Sequence, residues 1–395
     1  MTTKKLFDNP KQCCGCEACS QICPKGIIKM RSDKEGFFYP YIEDESLCIN
    51  CGLCNKVCPL KKSLHKPYSI ISNYGGYSID EEIIQKCASG GFAYTLSNVF
   101  IKEGGVVYGV RYSDNNMMDV SYCRCESFEQ LKQIRGSKYA QSRKYNVFKD
   151  VQNDLRKNNK VLFIGLPCEV AALYNFLGKK TENLYTVDLI CHGPTSIGVH
   201  KAYINQLMKS LNKEGICGFS VRFKKNAWKP YYVYAEFSDG FNYIKKFEDT
   251  DYGTAFQQLK RPSCSVCHFK VYDKLFGMPA DITIGDFHLA NVGMKQYNHW
   301  GSSQISIHTS KGEFLLGKVK PFMRLYPISE RMAVHYNTAF FRPTYVRWNR
   351  GIFSILFSKK GLHFACTHWT VNFINKFVFI KRKCKSYIAY LIKKI

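Results

Sequence analysis

The sequence predicts a mixed α+β and α/β fold in three parts: a small cysteine-rich module, a larger mixed α/β body and a basic amphipathic helical tail. Three observations lead to this prediction. Cysteines recur at spacings of two and three residues within the first sixty residues, short apolar strands alternate with helical segments further on, and lysines surround helically spaced apolar residues near residue 390. We place the module at 1–66, the two halves of the body at 77–150 and 151–344, and the tail at 345–395.

Composition limits the classes of protein to consider. Of 395 residues, 45% are hydrophobic and 22% are charged, which supports a packed core and excludes global disorder. Lysine and arginine total 57 against 31 acidic residues, a net charge of +26. The residues after Glu330 contribute 13 of these basic side chains and no carboxylate. This surplus predicts an anionic partner, although no nucleic-acid-binding module is recognisable and none is expected.

The cysteine content points to metal chemistry. There are 19 cysteines, and residues 1–10 contain no apolar stretch of the kind found in secretory signals. We therefore expect a cytoplasmic protein, in which disulfides are rare. Most of the thiols should then be metal ligands or ordinary core residues.

Two runs in the first sixty residues share one spacing, C-x₂-C-x₂-C-x₃-C-P. This is the run of two-cluster bacterial ferredoxins, in which the fourth cysteine of each run binds the other 4Fe-4S cluster. The spacing assigns cluster one to Cys13, Cys16, Cys19 and Cys58, and cluster two to Cys48, Cys51, Cys54 and Cys23. Two zinc sites are the alternative, but matched eight-thiolate runs are unusual for zinc. Cys14 interrupts the spacing and is interpreted as a bystander, with a slip of one ligand position left open.

Between the module and the body, residues 67–76 are turn-rich and are interpreted as a linker. Ser89, Gly90 and Gly91 then precede a helical pattern, and we expect the serine to cap that helix and the glycines to admit an anion. A plain capped helix is the alternative. A second small basic loop could bind a phosphate or the edge of a flavin, or could be a solvated turn; it contains Arg135, Gly136, Ser137, Lys138, Tyr139 and Ser142.

A third four-thiolate site is predicted in the body. Cys168 and Cys191 each follow a short apolar strand, at the end where open α/β sheets place their functional sites. Cys264 and Cys267 form a C-x-x-C pair that needs two further ligands. We therefore group Cys168, Cys191, Cys264 and Cys267 as ligands of a third 4Fe-4S cluster. The alternatives are a zinc knuckle at the pair and buried thiols at the other two positions.

Together these motifs resemble the coenzyme F420 hydrogenase/dehydrogenase beta subunit family, in the form with an N-terminal two-cluster ferredoxin module. The resemblance covers roughly residues 10–345, and outside the module it rests on the segments Ser89-Gly90-Gly91, Arg135-Gly136-Ser137-Lys138-Tyr139, Gly165-Leu166-Pro167-Cys168, Cys191-His192-Gly193, Cys264-x-x-Cys267 and Ile284-Gly285-Asp286-Phe287. Cys87 departs from the family pattern, where a small polar residue is expected.

The resemblance implies a flavin, usually FAD, and an iron–sulfur cluster in the body. It implies that residues 89–91 and 135–142 lie at the flavin and that the four body thiols hold the cluster. Family members pass electrons between clusters and a two-electron acceptor, which is coenzyme F420 in some members. Others occur among genes for surface polysaccharides, so an unknown substrate linked to that biosynthesis is a further possibility.

The expected electron path leads from an external ferredoxin or other redox partner through the two N-terminal clusters and the body cluster to the flavin and a substrate. His192 is the candidate proton donor, with support of a cluster ligand as its alternative role. Asp286 is expected at a turn or strand end. Residues 218–237 are predicted as a hairpin that faces the substrate, or as ordinary sheet.

The tail has the pattern of a basic amphipathic helix. Its apolar positions are spaced as on one helix face and six lysines or arginines surround them, but no run of 18 apolar residues occurs. Such a helix suits the surface of an anionic membrane, here the inner face, or alternatively docks on the body or a partner. The apolar residues are Phe377, Val378, Tyr387, Ile388, Leu391, Ile392 and Ile395.

Three functions follow from the sequence. The first is an iron–sulfur flavoprotein oxidoreductase. The second is a non-catalytic electron-transfer subunit of a larger redox complex, with no substrate of its own. The third is a zinc-stabilised protein recruited to a membrane, which would be colourless. Neither the substrate, the direction of electron flow nor the oligomeric state follows from the sequence.

Overall fold

The computed structural model describes residues 6–62, 68–179, 181–371 and 373. Its thirteen described strands are β1 (Ile28–Ser32), β2 (Phe38–Ile42), β3 (Ser72–Ser78), β4 (Val106–Tyr112), β5 (Val120–Cys125), β6 (Val161–Gly165), β7 (Leu184–Leu189), β8 (Ile216–Phe223), β9 (Tyr232–Phe237), β10 (Asn242–Lys246), β11 (Ile282–Asp286), β12 (Ser303–Ile307) and β13 (Met323–Pro327).

The described helices are α1 (Ala18–Ile22), α2 (Leu53–Lys56), α3 (Glu81–Lys86), α4 (Phe92–Lys102), α5 (Phe128–Ile134), α6 (Val147–Arg156), α7 (Pro167–Leu177), α8 (Ile197–Leu211), α9 (Asp251–Gln258), α10 (Ser310–Val319), α11 (Glu330–His335), α12 (Thr338–Phe341), α13 (Arg350–Lys360) and α14 (Leu362–Thr367). The expected mixed α/β fold class is confirmed.

The small module contains one antiparallel hairpin, in which β1 pairs with β2 from Ile28 opposite Ile42 to Ser32 opposite Phe38. The short helices α1 and α2 each follow the first two cysteines of a run. The module therefore has the hairpin and two short helices that bring its two cysteine runs face to face.

The body is built on an eight-stranded mixed sheet in the order β13-β3-β12-β11-β7-β6-β4-β5. The central strands β4, β6, β7 and β11 are parallel, and the flanking strands are antiparallel to their neighbours. Parallel strands are covered on both faces, which is why β6 reads as the continuous apolar run Val-Leu-Phe-Ile. Leu162 packs under α4 and α10, and Phe163 packs under α6 and α7. All four parallel strands therefore end at one edge of the sheet.

Residues 67–76 are not simply a linker, as the sequence suggested. Residues 72–78 form β3, which pairs with both β12 and β13 inside the large sheet. Position 76 requires glycine, because a Cβ there would lie 2.0 Å from the Arg324 carbonyl oxygen. Since glycine is rare in strands, the sequence pattern does not indicate β3. The body therefore begins at residue 72 rather than 77.

The predicted hairpin at 218–237 is confirmed as β8 and β9, which form a second, three-stranded antiparallel sheet with β10. Helices α8, α9, α13 and α14 pack on this sheet around one apolar cluster that includes Tyr203, Val233, Tyr252 and Phe353. The sheet thus forms a second layer of the body, beside the end of the large sheet where the parallel strands stop.

The first part of the tail docks on the rest of the chain. Phe353 and Leu362 are buried in the cluster below the second sheet. Arg350, at the start of α13, reaches the small module: its Nη1 lies 2.9 Å from Oε1 of Glu35, and Ser354 donates to the same carboxylate. The amphipathic pattern at 377–395 lies outside the described residues. No helix among the residues described is both long and apolar enough to cross a membrane.

Replacing Arg350 by alanine should destabilise the protein, because it leaves the largely buried Glu35 carboxylate without its positively charged partner. Breaking a buried ion pair costs about 3 kcal/mol of unfolding free energy. Denaturant unfolding followed by circular dichroism measures the loss. Lys359→Ala, on the exposed end of the same helix, is the control and should stay within about 0.5 kcal/mol of the wild type. Equal losses in the two variants would contradict a role for the Arg350–Glu35 pair.

Candidate functional site

The two cysteine runs fold with the same backbone. In each run, the residues two and four positions after the first cysteine have left-handed backbone angles: Gly15 and Glu17 in the first, Asn50 and Gly52 in the second. The left-handed backbone conformation is unfavourable in free energy for residues other than glycine and asparagine. The repetition at equal offsets therefore shows that both runs wrap their thiols in the same kind of turn.

The four thiols assigned to cluster one surround a common hollow of about 40 Å³, which Cys14 and Cys54 also line. Burial and neighbouring thiols raise the pKa of Cys19 well above its ordinary value, and burial raises that of Cys58 to about 11. Thiols with raised pKa values stay protonated near pH 7 unless a metal binds the thiolate form. This grouping of thiols therefore suits the binding of iron. The donor chemistry therefore fits a thiolate-bound cluster.

The thiols assigned to cluster two include the most exposed cysteine of the two runs. Cys51 is exposed, and the neighbouring side chains of Leu47 and Ile49 are more than half exposed. Cys54 connects the two sites, because it is in α2 and also lines the hollow of cluster one. Cluster two is therefore the ligand set nearest to the outside of the molecule.

The structure brings together the three segments that carry the body thiols. Cys168 begins α7, Cys191 follows β7, and Cys264 and Cys267 lie in and just after a short 3-10 helix at Pro262–Val266. Gly193 packs directly on Cys264, since a Cβ at that glycine would lie 3.1 Å from the cysteine Cβ. Burial raises the pKa of the Cys191 thiol, and the nearby Cys267 acts in the same direction.

No three of the described His, Cys, Asp or Glu side chains are close enough to share one metal ion. Ligands of a cubane do not share one ion, because each thiolate binds its own iron atom. Burial raises the pKa of the Cys264 thiol above its ordinary value. A bound metal would offset this effect, because it stabilises the thiolate. The donor set of the body therefore also fits a 4Fe-4S cluster.

A cavity of about 320 Å³ opens beside these thiols, at the carboxyl ends of β6, β7 and β11. This is the position where open α/β sheets bind their ligands. Its lining includes Cys191 and His192. It also includes eight of the nine residues expected at a flavin, namely Ser89, Gly91, Arg135, Gly136, Ser137, Lys138, Tyr139 and Ser142.

Gly90 is the ninth residue and does not line the cavity. A Cβ at Gly90 would lie 2.5 Å from the Gly76 carbonyl oxygen and 2.6 Å from the Ser303 backbone nitrogen. Its role is therefore close packing of the loop on β3 and β12. Ser89 does not cap α4, contrary to expectation: its hydroxyl donates to the Ser302 carbonyl at 2.7 Å, and Gly91 is the N-cap residue, with no side-chain cap.

The start of α4 and the basic loop line one side of the cavity with backbone N–H groups and basic side chains. Without a side-chain cap, the first backbone N–H groups of α4 keep their hydrogen-bonding capacity at the cavity wall, near Phe92 and Ala93. The guanidinium of Arg135 lies across the wall, over the ring of Tyr94. Burial lowers the pKa of Lys138 to about 7, and its ammonium donates to the Arg135 carbonyl at 2.8 Å. Lys138 therefore holds the shape of the loop.

The opposite side of the cavity carries an ion pair. Arg222 donates to Asp286 at 2.9 Å and to the Ala88 carbonyl at 2.8 Å. Burial alone would raise the pKa of Asp286, but the Arg222 guanidinium outweighs burial and lowers it. Asp286 is the last residue of β11, as expected of a strand end. It thus remains a carboxylate that fixes an arginine at the cavity.

His192 lines the cavity, and a substantial part of its surface is exposed. Burial, aided by the charge of Lys260, lowers the pKa of His192 to about 4. The imidazole is therefore neutral near pH 7 and has one nitrogen able to accept a proton. Cys87, which departs from the family pattern, is buried and lines the same cavity, and burial raises its pKa to about 11.

Sequence reasoning missed the groups that join these sites. Arg261 and Lys144 are fully buried cations that link the small module to the body, and Glu169 is a buried carboxylate beside Cys168. The Nζ of Lys144 lies 2.6 Å from Oε1 of Glu169. A signal was present for Arg261, because it directly precedes the Pro-Ser-Cys of the body motif. Lys144 and Glu169 show no such pattern.

Comparisons with known proteins agree with this architecture. The family described as the C-terminal part of the coenzyme F420 hydrogenase/dehydrogenase beta subunit matches residues 158–325, and the 4Fe-4S dicluster domain matches residues 12–62. An uncharacterized ferredoxin of Methanocaldococcus jannaschii is 36% identical over 66 residues, which are 17% of this chain and 82% of that protein.

A second, uncharacterized protein of Methanocaldococcus jannaschii is 24% identical over 352 residues, 79% of this chain and 90% of its own length. Among solved structures, a chain of the F420-reducing NiFe hydrogenase complex from Methanosarcina barkeri has 18% sequence identity and a TM-score of 0.45, over 76% of this chain and 91% of that one. The chain therefore combines a 4Fe-4S dicluster domain at 12–62 with a region at 158–325 that matches the C-terminal part of the coenzyme F420 hydrogenase/dehydrogenase beta subunit family, and it is an iron–sulfur electron-transfer protein related to that subunit.

Proposed function

We propose that this chain is an iron–sulfur flavoprotein oxidoreductase that passes electrons between its clusters and an organic acceptor. One observation carries the proposal: a single cavity collects eight of the nine residues expected at a flavin and also includes the predicted ligand Cys191. A redox ring held there would lie beside the body cluster. A flavin supplies the chemistry that joins one-electron clusters to a two-electron acceptor.

Groups that line the cavity are suited to binding the phosphates and the ring system of FAD. Backbone N–H groups at the start of α4 and the Arg135 guanidinium suit its phosphates. Tyr139 and Phe256, whose rings stack at 4.4 Å between centroids, give the cavity a flat aromatic wall. The cavity volume is at the lower end of the range for small-molecule sites.

The ligand sets are arranged in series. Cluster two has the exposed cysteine, cluster one lies between it and the body, and the body thiols adjoin the cavity. An external ferredoxin or other redox subunit would therefore exchange electrons at cluster two. We include in the proposal that this partner and the present chain belong to one larger redox complex. Coenzyme F420 and a substrate of polysaccharide biosynthesis remain candidate acceptors, with neutral His192 as the group that carries a proton at the cavity.

Anaerobic purification tests the proposal through its flavin. We expect about one FAD per chain together with about twelve iron atoms, four for each of three clusters. Arg135→Glu should lower the flavin content at least about tenfold, because it places a negative charge beside the phosphates. Acid-released flavin and iron, counted separately, give the two values.

Lys132→Glu is the matched control, since it lies on α5 one turn before Arg135 and does not line the cavity. It should keep both the flavin and the iron. Wild-type protein that contains the iron but less than about 0.2 flavin per chain would contradict the flavin site and leave the non-catalytic electron-transfer subunit as the better description.

A further inference from the structure

The last two described helices, α13 and α14, carry a surface of exposed apolar side chains. Five large hydrophobic side chains within residues 348–369 are exposed by 39–71%, and two of the chain's four tryptophans are among them. Single exposed apolar residues are ordinary, but a concentration of them marks an interaction surface. The α13–α14 surface consists of Trp348, Ile352, Ile355, Phe364 and Trp369.

Both helices turn these side chains to the same side of the protein. In α13, Ile352, Ile355 and Lys359 are three and four positions apart and therefore share one helix face. The opposite face of each helix is buried in the apolar cluster below the second sheet, which includes Phe353 of α13 and Leu362 of α14. Since both helices pack on one core, their outer faces point away from it together.

Aromatic rings continue this surface along α14 and beyond its end. The ring of Phe364 lies 5.7 Å from that of His368, and His368 lies 5.9 Å from the ring of Trp369, between centroids. Phe364 and Trp369 are exposed although they neighbour each other through His368. Aromatic residues, tryptophan above all, are favoured at the boundary between water and lipid.

The charge of this part of the chain has one sign. No carboxylate occurs after Glu330, whereas 13 lysines and arginines do, seven of them within residues 374–395. Lys359 and Lys360 are exposed at the end of α13. Basic and apolar side chains thus occur side by side, a combination typical of helices that lie on anionic lipid.

Two carboxylates from elsewhere in the chain contact these helices, and both are engaged. Glu35 accepts a hydrogen bond from Arg350 at 2.9 Å, and Asp251 is 2.8 Å from the Nδ1 of His363. Neither α13 nor α14 contains an acidic residue of its own. The charge of the surface is therefore complementary to an anionic partner.

We propose that the α13–α14 surface binds an anionic phospholipid membrane, with its apolar side chains at the interface and its lysines at the headgroups. Burial of apolar area and attraction to anionic lipid both strengthen such binding. The inference goes beyond the proposed function and requires neither the flavin nor the third cluster. It locates an iron–sulfur electron-transfer protein at a membrane surface.

Fluorescence quenching in the full-length anaerobic protein tests the proposal. Vesicles of phosphatidylglycerol and brominated phosphatidylcholine should quench Trp348 and Trp369, whereas vesicles of brominated phosphatidylcholine alone should not. Residues 374–395 contain no tryptophan, so the quenching reports on the α13–α14 surface and not on the rest of the tail. Trp348→Phe combined with Trp369→Phe should abolish it. Quenching that persists in that variant would overturn the proposal, because it would come from other tryptophans.

Co-sedimentation with the same anionic vesicles gives the second measurement. Ile352→Glu combined with Ile355→Glu should weaken binding at least about tenfold, because two carboxylates replace apolar side chains on the outer face. Ile79→Glu is the matched control and should bind like the wild type, since Ile79 and Ile355 are both 53% exposed and Ile79 follows β3 on the large sheet. Iron content and the midpoint of denaturation show that each variant is folded.

Three outcomes would overturn the proposal. The first is a wild-type protein that does not bind the anionic vesicles, and the second is unchanged binding in the double isoleucine variant. The third is a wild-type protein that associates with itself without lipid and becomes monomeric in the same variant, as measured by analytical ultracentrifugation. That result would assign the surface to a second copy of the chain.

Discussion

Replacement of both Cys264 and Cys267 by serine is expected to reduce the iron content from about twelve to about eight atoms per chain. The two residues are the C-x-x-C pair of the body, and only they join Cys168 and Cys191 in the proposed ligand set. Serine has nearly the same size but is a poor ligand for iron in a thiolate cluster. Iron and acid-labile sulfide, measured on anaerobic protein, should both fall by one third.

The same variant should separate the two ends of the electron path. The N-terminal clusters should still be reduced by dithionite, since their thiols are untouched, but bound flavin should no longer be reduced by a ferredoxin partner. Ser265→Ala, in the same short 3-10 helix, is the control and should keep iron, sulfide and flavin reduction. Iron that stays at about twelve would remove the third cluster from the proposal.

Replacement of Arg261 by methionine should have the second large effect. The side chain is buried and donates to the carbonyls of Cys13 and Phe38 and to the Gln141 amide oxygen, at 2.9–3.1 Å. Hydrogen bonds from a charged donor contribute about 1.5–3 kcal/mol each, and their acceptors would remain buried without a partner. We expect a loss on the order of 4 kcal/mol in the free energy of unfolding.

Denaturant unfolding measures this loss, and limited proteolysis between the module and the body should become faster. Arg261→Lys should be intermediate, because lysine keeps the charge but lacks the planar fork that serves several acceptors. Arg342→Met, at an arginine that is not buried, is the control and should be close to the wild type. Stability equal to that of the wild type in Arg261→Met would contradict its role in docking the module.

Much of the fold could be predicted because its signals are local. The cysteine runs depend on spacings of two and three residues, and the short apolar strand expected before Cys168 is β6, Val161–Gly165. The cavity could be predicted in outline because strand ends collect at one edge of a parallel sheet. These features require only the residues nearby in the sequence.

The remaining features depend on distant contacts. The sequence suggests that Ser89 caps a helix, but its hydroxyl donates to the carbonyl of Ser302, which is 213 residues later. Arg261 reaches Cys13 across 248 positions, and no periodic pattern marks such a pair. Strand β3 was missed because two glycines, required by the closeness of β13 and of Phe287, replace the β-branched residues that usually reveal a strand.

The pairing of Glu35 with Arg350 also orders events during synthesis. The two residues are 315 positions apart. The small module is therefore synthesised well before Arg350, its ion-pair partner in α13, is available. Contacts of such separation form late, because the intervening chain must first be ordered. We therefore expect that the eight thiols assigned to clusters one and two can receive iron before Arg350 pairs with Glu35.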